Sequence, residues 1–277
     1  MKLKEFIYIS EPRGSILPTI FFILAYLLLN FFINHEISIT WIIILQAIII
    51  GIPFAFVVDS VNNIFDLERD KLNPRKKKMV ELFTRRKIRR ESVIFSVIII
   101  ILMIVISLFT RNIQNILLVL LVIFLGLFYS IPLIRLKNIP IFDSLTSGLG
   151  HQAGFLIVYS HIRSIFTLPL IAYILIPMGT IIGIILHIAD YDADKRAGQR
   201  TTATFFGKKY TKILILILLA ITYIIFANVH LFVLLYLIGF SILSFLSFIY
   251  ERKTMFFMQL LHPLLVVLLV AIYFMIY

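Results

Sequence analysis

The chain has 277 residues, of which 61% are hydrophobic and only 14% charged, and its mean hydropathy is +1.05. A soluble domain sits nearer half apolar and a quarter charged, so this composition indicates an integral membrane protein. The net charge of +12 gathers in loops on one side instead of forming a nucleic-acid face, and the absence of cysteine excludes disulfides, thiolate metal sites and cysteine nucleophiles.

Apolar stretches long enough to cross a bilayer fall at roughly 15–33, 41–61, 92–110, 113–131, 143–161, 167–188, 212–229, 231–250 and 256–277. The expected fold class is therefore an all-α membrane protein with nine transmembrane helices. With this division, 24 of the 26 Lys and Arg residues fall on one side. That bias predicts a cytoplasmic N-terminus and an external C-terminus. The first stretch is too long for a signal-peptide core and lacks a small-residue cleavage site, so it is read as a helix.

The second stretch leads into a polar stripe. At 100° per residue, Asp59, Asn62, Asn63, Asp66 and Asp70 share an arc of about 100°, while Glu68 points to the opposite side. The hydrophilic loop over 62–91 follows, with Lys71 and Arg75 near the carboxylates. Lys76, Lys77 and Lys78, with Arg85, Arg86, Lys87, Arg89 and Arg90, are read as charges that hold the topology and touch anionic headgroups. The third and fourth stretches join through Thr110–Asn112, and a short loop after the fourth carries Arg135 and Lys137. The fifth is the most polar, containing Ser144, Thr146, Ser147, His151 and Gln152. Polar groups at such depth face a cavity or a neighbouring helix, and both a packing hydrogen bond and an acceptor contact stay open for His151 and Gln152. The sixth stretch ends in a second stripe of His187, Asp190 and Asp194, with Asp192 turned away. Hydrophilic chain lies almost entirely on the cytoplasmic side, so the function is expected there.

The two stripes share one pattern. Asp66-Leu67-Glu68-Arg69-Asp70-Lys71 and Asp190-Tyr191-Asp192-Ala193-Asp194-Lys195 are both D-x-(acid)-x-D-K, spaced 124 residues apart. The spacing predicts a parallel repeat in a single domain: two four-helix units of about 1–140 and 141–250, with a ninth helix appended. Oxygen donors with asparagine among the aspartates suit Mg2+, which takes one or two carboxylates plus phosphate oxygens and water. Zinc would call for histidine or cysteine, and only His187 is near. Lys71, Arg75, Lys137, Lys195 and Arg200 lie on the same side and suit the remaining phosphate charge. An ion-coupled transporter is the non-enzymatic alternative, but such sites lie near the bilayer midplane, not at its rim.

Taken with these stripes, Asn62-Asn63-Ile64-Phe65-Asp66-Leu67-Glu68-Arg69-Asp70 resembles the N-D-x-x-D-x-x-x-D motif of the UbiA superfamily of membrane prenyltransferases. Asp190-Tyr191-Asp192-Ala193-Asp194 resembles its second motif, and Tyr129-Ser130-Ile131-Pro132-Leu133-Ile134-Arg135-Leu136-Lys137 is similar to its Y-S-x-P-x-x-R-x-K segment. The resemblance implies nine helices around a central cavity and Mg2+-dependent transfer of a polyprenyl group from its diphosphate to a lipophilic acceptor. That acceptor is an aromatic quinone precursor, a carotenoid or another lipid. It also implies roles. Asp66, Asp70, Asp190 and Asp194 are the catalytic carboxylates, and with Asn63 they hold the metal. Asn62, Lys71, Arg75, Tyr129, Arg135, Lys137, Lys195 and Arg200 bind the substrate, while His187 is a candidate proton acceptor or support for a ligand. A terpene cyclase on the same scaffold is the alternative enzyme. The expected partners are the prenyl diphosphate, its acceptor and the bilayer, with no nucleic acid and no obligatory protein partner. Two positions depart from the pattern. Asn63 stands where aspartate is usual, with Asp59 one turn earlier as a replacement charge, and Glu11 in Ser10-Glu11-Pro12-Arg13 stands where arginine is common.

Overall fold

The computed structural model describes residues 5, 41–71, 76–161, 164–226, 231–250, 261 and 265. The expected first segment, most of the ninth, Ser10–Arg13 and Arg75 lie outside the described residues. Among those described, eight α-helices follow one another: α1 (Trp41–Asp70), α2 (Lys77–Thr84), α3 (Arg86–Phe109), α4 (Ile113–Phe128), α5 (Phe142–Tyr159), α6 (Leu175–Arg196), α7 (Thr202–Phe226) and α8 (Leu231–Ile249). Among the described residues, three helices are long and apolar enough to cross a membrane: Arg86–Phe109, Ala172–Arg196 and Thr202–Phe226.

The stretch over 62–91, expected as a hydrophilic loop, is largely helical. Met79 and Phe83, one turn apart, are the buried residues of α2 and join Phe56 and Ile88 in a small core. Phe56 in turn meets Phe95 edge-on at 4.9 Å. A narrow apolar stripe in a basic segment is enough to hold an amphipathic helix against a bundle, and the charges that made the segment look like a loop occupy the other face. The sixth segment shows the converse. Its expected start near 167 is a pair of 3-10 turns, Ile165–Thr167 and Leu170–Ile174, and the α-helix begins at Leu175. Pro169 precedes the second turn and Pro177 falls in the first turn of α6, where its missing N–H costs nothing.

Beside that small core, two larger apolar cores form among the described residues. One joins α1, α3, α4 and α5 through Val57, Ile99, Val119 and Ile157. The other joins α6, α7 and α8 through Ile181, Ile215 and Phe240. The α5–α6 contact links them, and small residues make it close. A Cβ on Gly148 would lie 2.2 Å from the Ile176 carbonyl oxygen and 2.4 Å from Thr180 Oγ1, and one on Gly179 would lie 2.8 Å from the Gly148 Cα. Gly183 lies against Ser144 in the same way. Small residues four apart on both helices let the backbones approach, as membrane helices do when apolar burial gives no drive of its own. The α1–α4 contact is similar at Gly126, whose Cβ would lie 2.6 Å from the Phe54 ring.

Outward faces stay apolar. Val93, Ile94, Val97, Ile98, Ile101, Leu102 and Val105 of α3 are all exposed, and they recur at three- and four-residue spacing along one side. Lipid covers such a stripe without the cost water would impose.

Candidate functional site

The first motif lies at the C-terminal end of α1, and its helical spacing aims as the sequence predicts. Asn63, Asp66 and Asp70 are buried, while Glu68 is exposed and paired with Lys71 at 2.7 Å. The carboxylates are not left bare. Asp66 pairs with Arg135 at 2.5 Å and is also in contact with Lys137. Lys137 Nζ also donates to Asn62 Oδ1 at 2.6 Å, as Ser130 Oγ does at 3.0 Å. Asp70 pairs with Lys76 at 3.0 Å.

These long-range pairs depend on a local turn. After α4 ends at the Tyr129 cap, the chain turns through Arg135, whose φ of 49° and ψ of 60° are left-handed. A side-chain-bearing residue adopts that conformation at a cost, and such strain persists only where surrounding contacts enforce it. Here the turn sets Arg135 and Lys137 on the same carboxylate. Lys137 is almost wholly buried, and burial pushes its ammonium down to about 8 against the opposing pull of Asp66.

The second motif lies at the end of α6. Asp190 and Asp194 are half-buried, and Asp192 is exposed and faces Lys208 at 3.4 Å. Asp194 has loose contacts: Thr201 Oγ1 at 3.5 Å and His187 Nδ1 at 3.9 Å. The other imidazole nitrogen of His187 lies 3.5 Å from Asp143, a residue the sequence analysis passed over. Asp143 is buried at the start of α5. It accepts from its neighbour Ser144 N–H at 2.7 Å, from Thr202 N–H at 2.6 Å and from the Thr202 hydroxyl. It thus caps the start of α7 from another helix and fixes one side of His187. The only signal in the sequence was a lone acid at the opening of an apolar stretch. Asp143→Ala should remove this cap and lower stability by about 1–2 kcal/mol, read as the unfolding midpoint in detergent.

Both carboxylate groups belong to one region. Tyr129 is close enough to feel the charges of Asp143, Asp194, Asp66 and Asp190 alike. Within it, no three His, Asp or Glu side chains among the described residues gather tightly enough to form a cage around a metal. A carboxylate pair with phosphate oxygens completing the shell needs no such cage, and the all-oxygen donors suit a hard divalent cation. Cations ring the same end. Lys195 stacks over the Tyr191 ring at 5.7 Å and Arg200 over the Phe205 ring at 4.9 Å. Lys71 stands apart with Glu68 at the surface. Gln152 is buried with neither amide atom hydrogen-bonded, while His187 is drawn into the carboxylate network.

Residues 19–260 match the model of the UbiA prenyltransferase family. No curated protein matches the sequence. Among solved structures, a UbiA homolog from Archaeoglobus fulgidus bound to GPP and Mg2+ is similar at TM-score 0.71 and 18% identity, over 96% of this chain and 97% of that one. An apo UbiA homolog from Aeropyrum pernix K1 is similar at TM-score 0.69 and 18% identity, over 99% of both chains. A digeranylgeranylglyceryl phosphate synthase is similar at TM-score 0.58 and 21% identity, over 97% of both.

Proposed function

The chain belongs to the UbiA prenyltransferase family, and on that footing we propose that it transfers a prenyl group from a prenyl diphosphate to a lipophilic acceptor inside the membrane, with Mg2+ as cofactor. The observation that supports the reading is the pair of tied carboxylate groups at the motif ends: Arg135 and Lys137 seated against Asp66 of α1, and His187 between Asp194 of α6 and Asp143 of α5. The Archaeoglobus relative bound to GPP and Mg2+ supports both substrate class and metal.

Asn63, Asp66 and Asp70 would hold one Mg2+, and Asp190 with Asp194 another, leaving the remaining positions to diphosphate oxygens and water. The metal supplies positive charge that stabilises the departing diphosphate. Arg135 and Lys137, already desolvated beside Asp66, would turn to phosphate oxygens as the substrate enters, with Asn62 holding the Lys137 ammonium in place. Arg75, Lys195 and Arg200 would meet the outer phosphate charge at the rim. The allylic carbon–oxygen bond breaks with its electron pair going to the diphosphate, a bond forms from acceptor to carbon, and the acceptor gives up a proton. Tyr129 would shield the positive charge on the allyl group, and the apolar helices exclude the water that would otherwise capture it.

In this reading the chain crosses the cell membrane nine times as one domain of two four-helix units. The N-terminus is cytoplasmic and the site faces the cytoplasm, a topology supported by the one-sided distribution of Lys and Arg. Incubation of purified protein with labelled geranylgeranyl diphosphate, Mg2+ and a total lipid extract tests the reaction. The expected result is diphosphate release matched by a prenylated lipid of defined mass. Release of diphosphate with a cyclic hydrocarbon and no need of acceptor would identify a cyclase instead, and no release at all would end the proposal.

A further inference from the structure

An open groove of about 670 Å3 at the start of α3 is lined by Ile64, Arg86, Arg89, Arg90, Val93 and Ile94. We propose that it binds an anionic phospholipid of the surrounding bilayer, with the phosphate on the three guanidinium groups and an acyl chain along α3. The site is separate from the aspartate centre.

The charge of these three arginines, Arg86, Arg89 and Arg90, is unpaired among the described residues. The nearby acids meet other cations: Glu5 lies 3.8 Å from Arg85, Glu91 lies 3.9 Å from Lys87, and Glu68 lies 2.7 Å from Lys71. The first turn of α3 has no acidic residue, and its N-cap, Arg85, makes no side-chain cap. Three like charges therefore crowd the positive end of a helix, an arrangement that is unfavourable until an anion joins it. Guanidinium groups suit phosphate oxygens, which they meet with paired donors.

The other half of the groove identifies the source of the phosphate. Val93 and Ile94 form its apolar wall, and Val97, Ile98, Ile101, Leu102 and Val105 continue the same exposed side along α3. A soluble phosphate would use the arginines and leave this track bare. A phospholipid uses both, because its head and tail have the same order along the membrane normal as the arginines and the apolar stripe. Ile64 completes the wall from α1, two residues before Asp66. An occupant of the groove thus touches the helix that carries the first aspartate motif.

The full chain in detergent, titrated with dioctanoyl phosphatidylglycerol or dioctanoyl phosphatidylcholine and read by native mass spectrometry, tests this without reference to turnover. The phosphatidylglycerol should be retained preferentially. Arg86→Gln, Arg89→Gln and Arg90→Gln should each weaken its retention by about fivefold, the effect of one basic residue at an anionic surface. Unfolding midpoints should not fall, since these side chains support no other group. The control Lys77→Gln with Lys78→Gln removes charge from the neighbouring α2 and should leave retention unchanged. Equal retention of phosphatidylcholine, an equal loss in the lysine control, or full displacement by inorganic phosphate would each overturn the proposal. Failure here leaves the prenyl-transfer reading untouched, because diphosphate release is measured separately.

Discussion

Asp194→Ala is expected to lower Mg2+-dependent diphosphate release by on the order of a thousandfold while leaving the unfolding midpoint in detergent close to that of the native chain. The reason is the looseness of its contacts. Asp194 is half-buried, and its nearest partners stand at 3.5 and 3.9 Å, too far to contribute much to stability. In the proposed reaction, this loosely held carboxylate is free to turn to the metal and diphosphate. Asp66→Ala should lose activity to the same degree but also lose stability. It would leave Lys137 buried without its carboxylate and Arg135 with one partner fewer. Breaking a buried pair from one side costs about 3–5 kcal/mol. Asp66→Asn, which keeps the shape and an acceptor oxygen, should recover part of that stability and little of the activity. Diphosphate release and thermal unfolding, measured on all three variants, separate the roles. Native activity in both the Asp194 and Asp66 variants would end the model of two aspartate motifs acting on one substrate.

Gly148→Val should be among the most disruptive single changes in the bundle. The new Cβ would lie 2.2 Å from a backbone oxygen of α6, and a helix backbone cannot step aside as a flexible side chain can. The helices must separate, with an overpacking cost of about 1–3 kcal/mol or more. Separation would also draw Asp143 away from His187 and Thr202, since those contacts cross between α5 and its neighbours. Gly150, two residues further along α5, supplies the control. A Cβ there meets nothing within 4 Å, so Gly150→Ala should be neutral or stabilise by up to about 1 kcal/mol through helix propensity. The yield of monodisperse protein and its unfolding midpoint check both. Equal tolerance at the two positions would show that the α5–α6 approach is looser than described.

Much of the molecule was legible in its sequence because much of it is local. Apolar length marks three helices long enough to cross a membrane among the described residues. The 3.6-residue period alone puts Asn63, Asp66 and Asp70 on one face and turns Glu68 and Asp192 to the surface. Hydropathy misread the basic stretch between α1 and α3, because a helix held by Met79 and Phe83 needs only two apolar residues in register. What the sequence could not supply was partnership. Arg135 and Lys137 stand 69 and 71 residues from the carboxylate they hold, and Asp143 stands 59 from the helix start it caps. Such pairings follow from how deeply α5 and α6 interlock at their glycines and from the left-handed turn at Arg135. Neither leaves a periodic trace, so composition and spacing determined the all-helical, apolar character of the chain and the faces of the aspartates. Which partners those faces meet is a matter of helix register, which only packing in three dimensions decides.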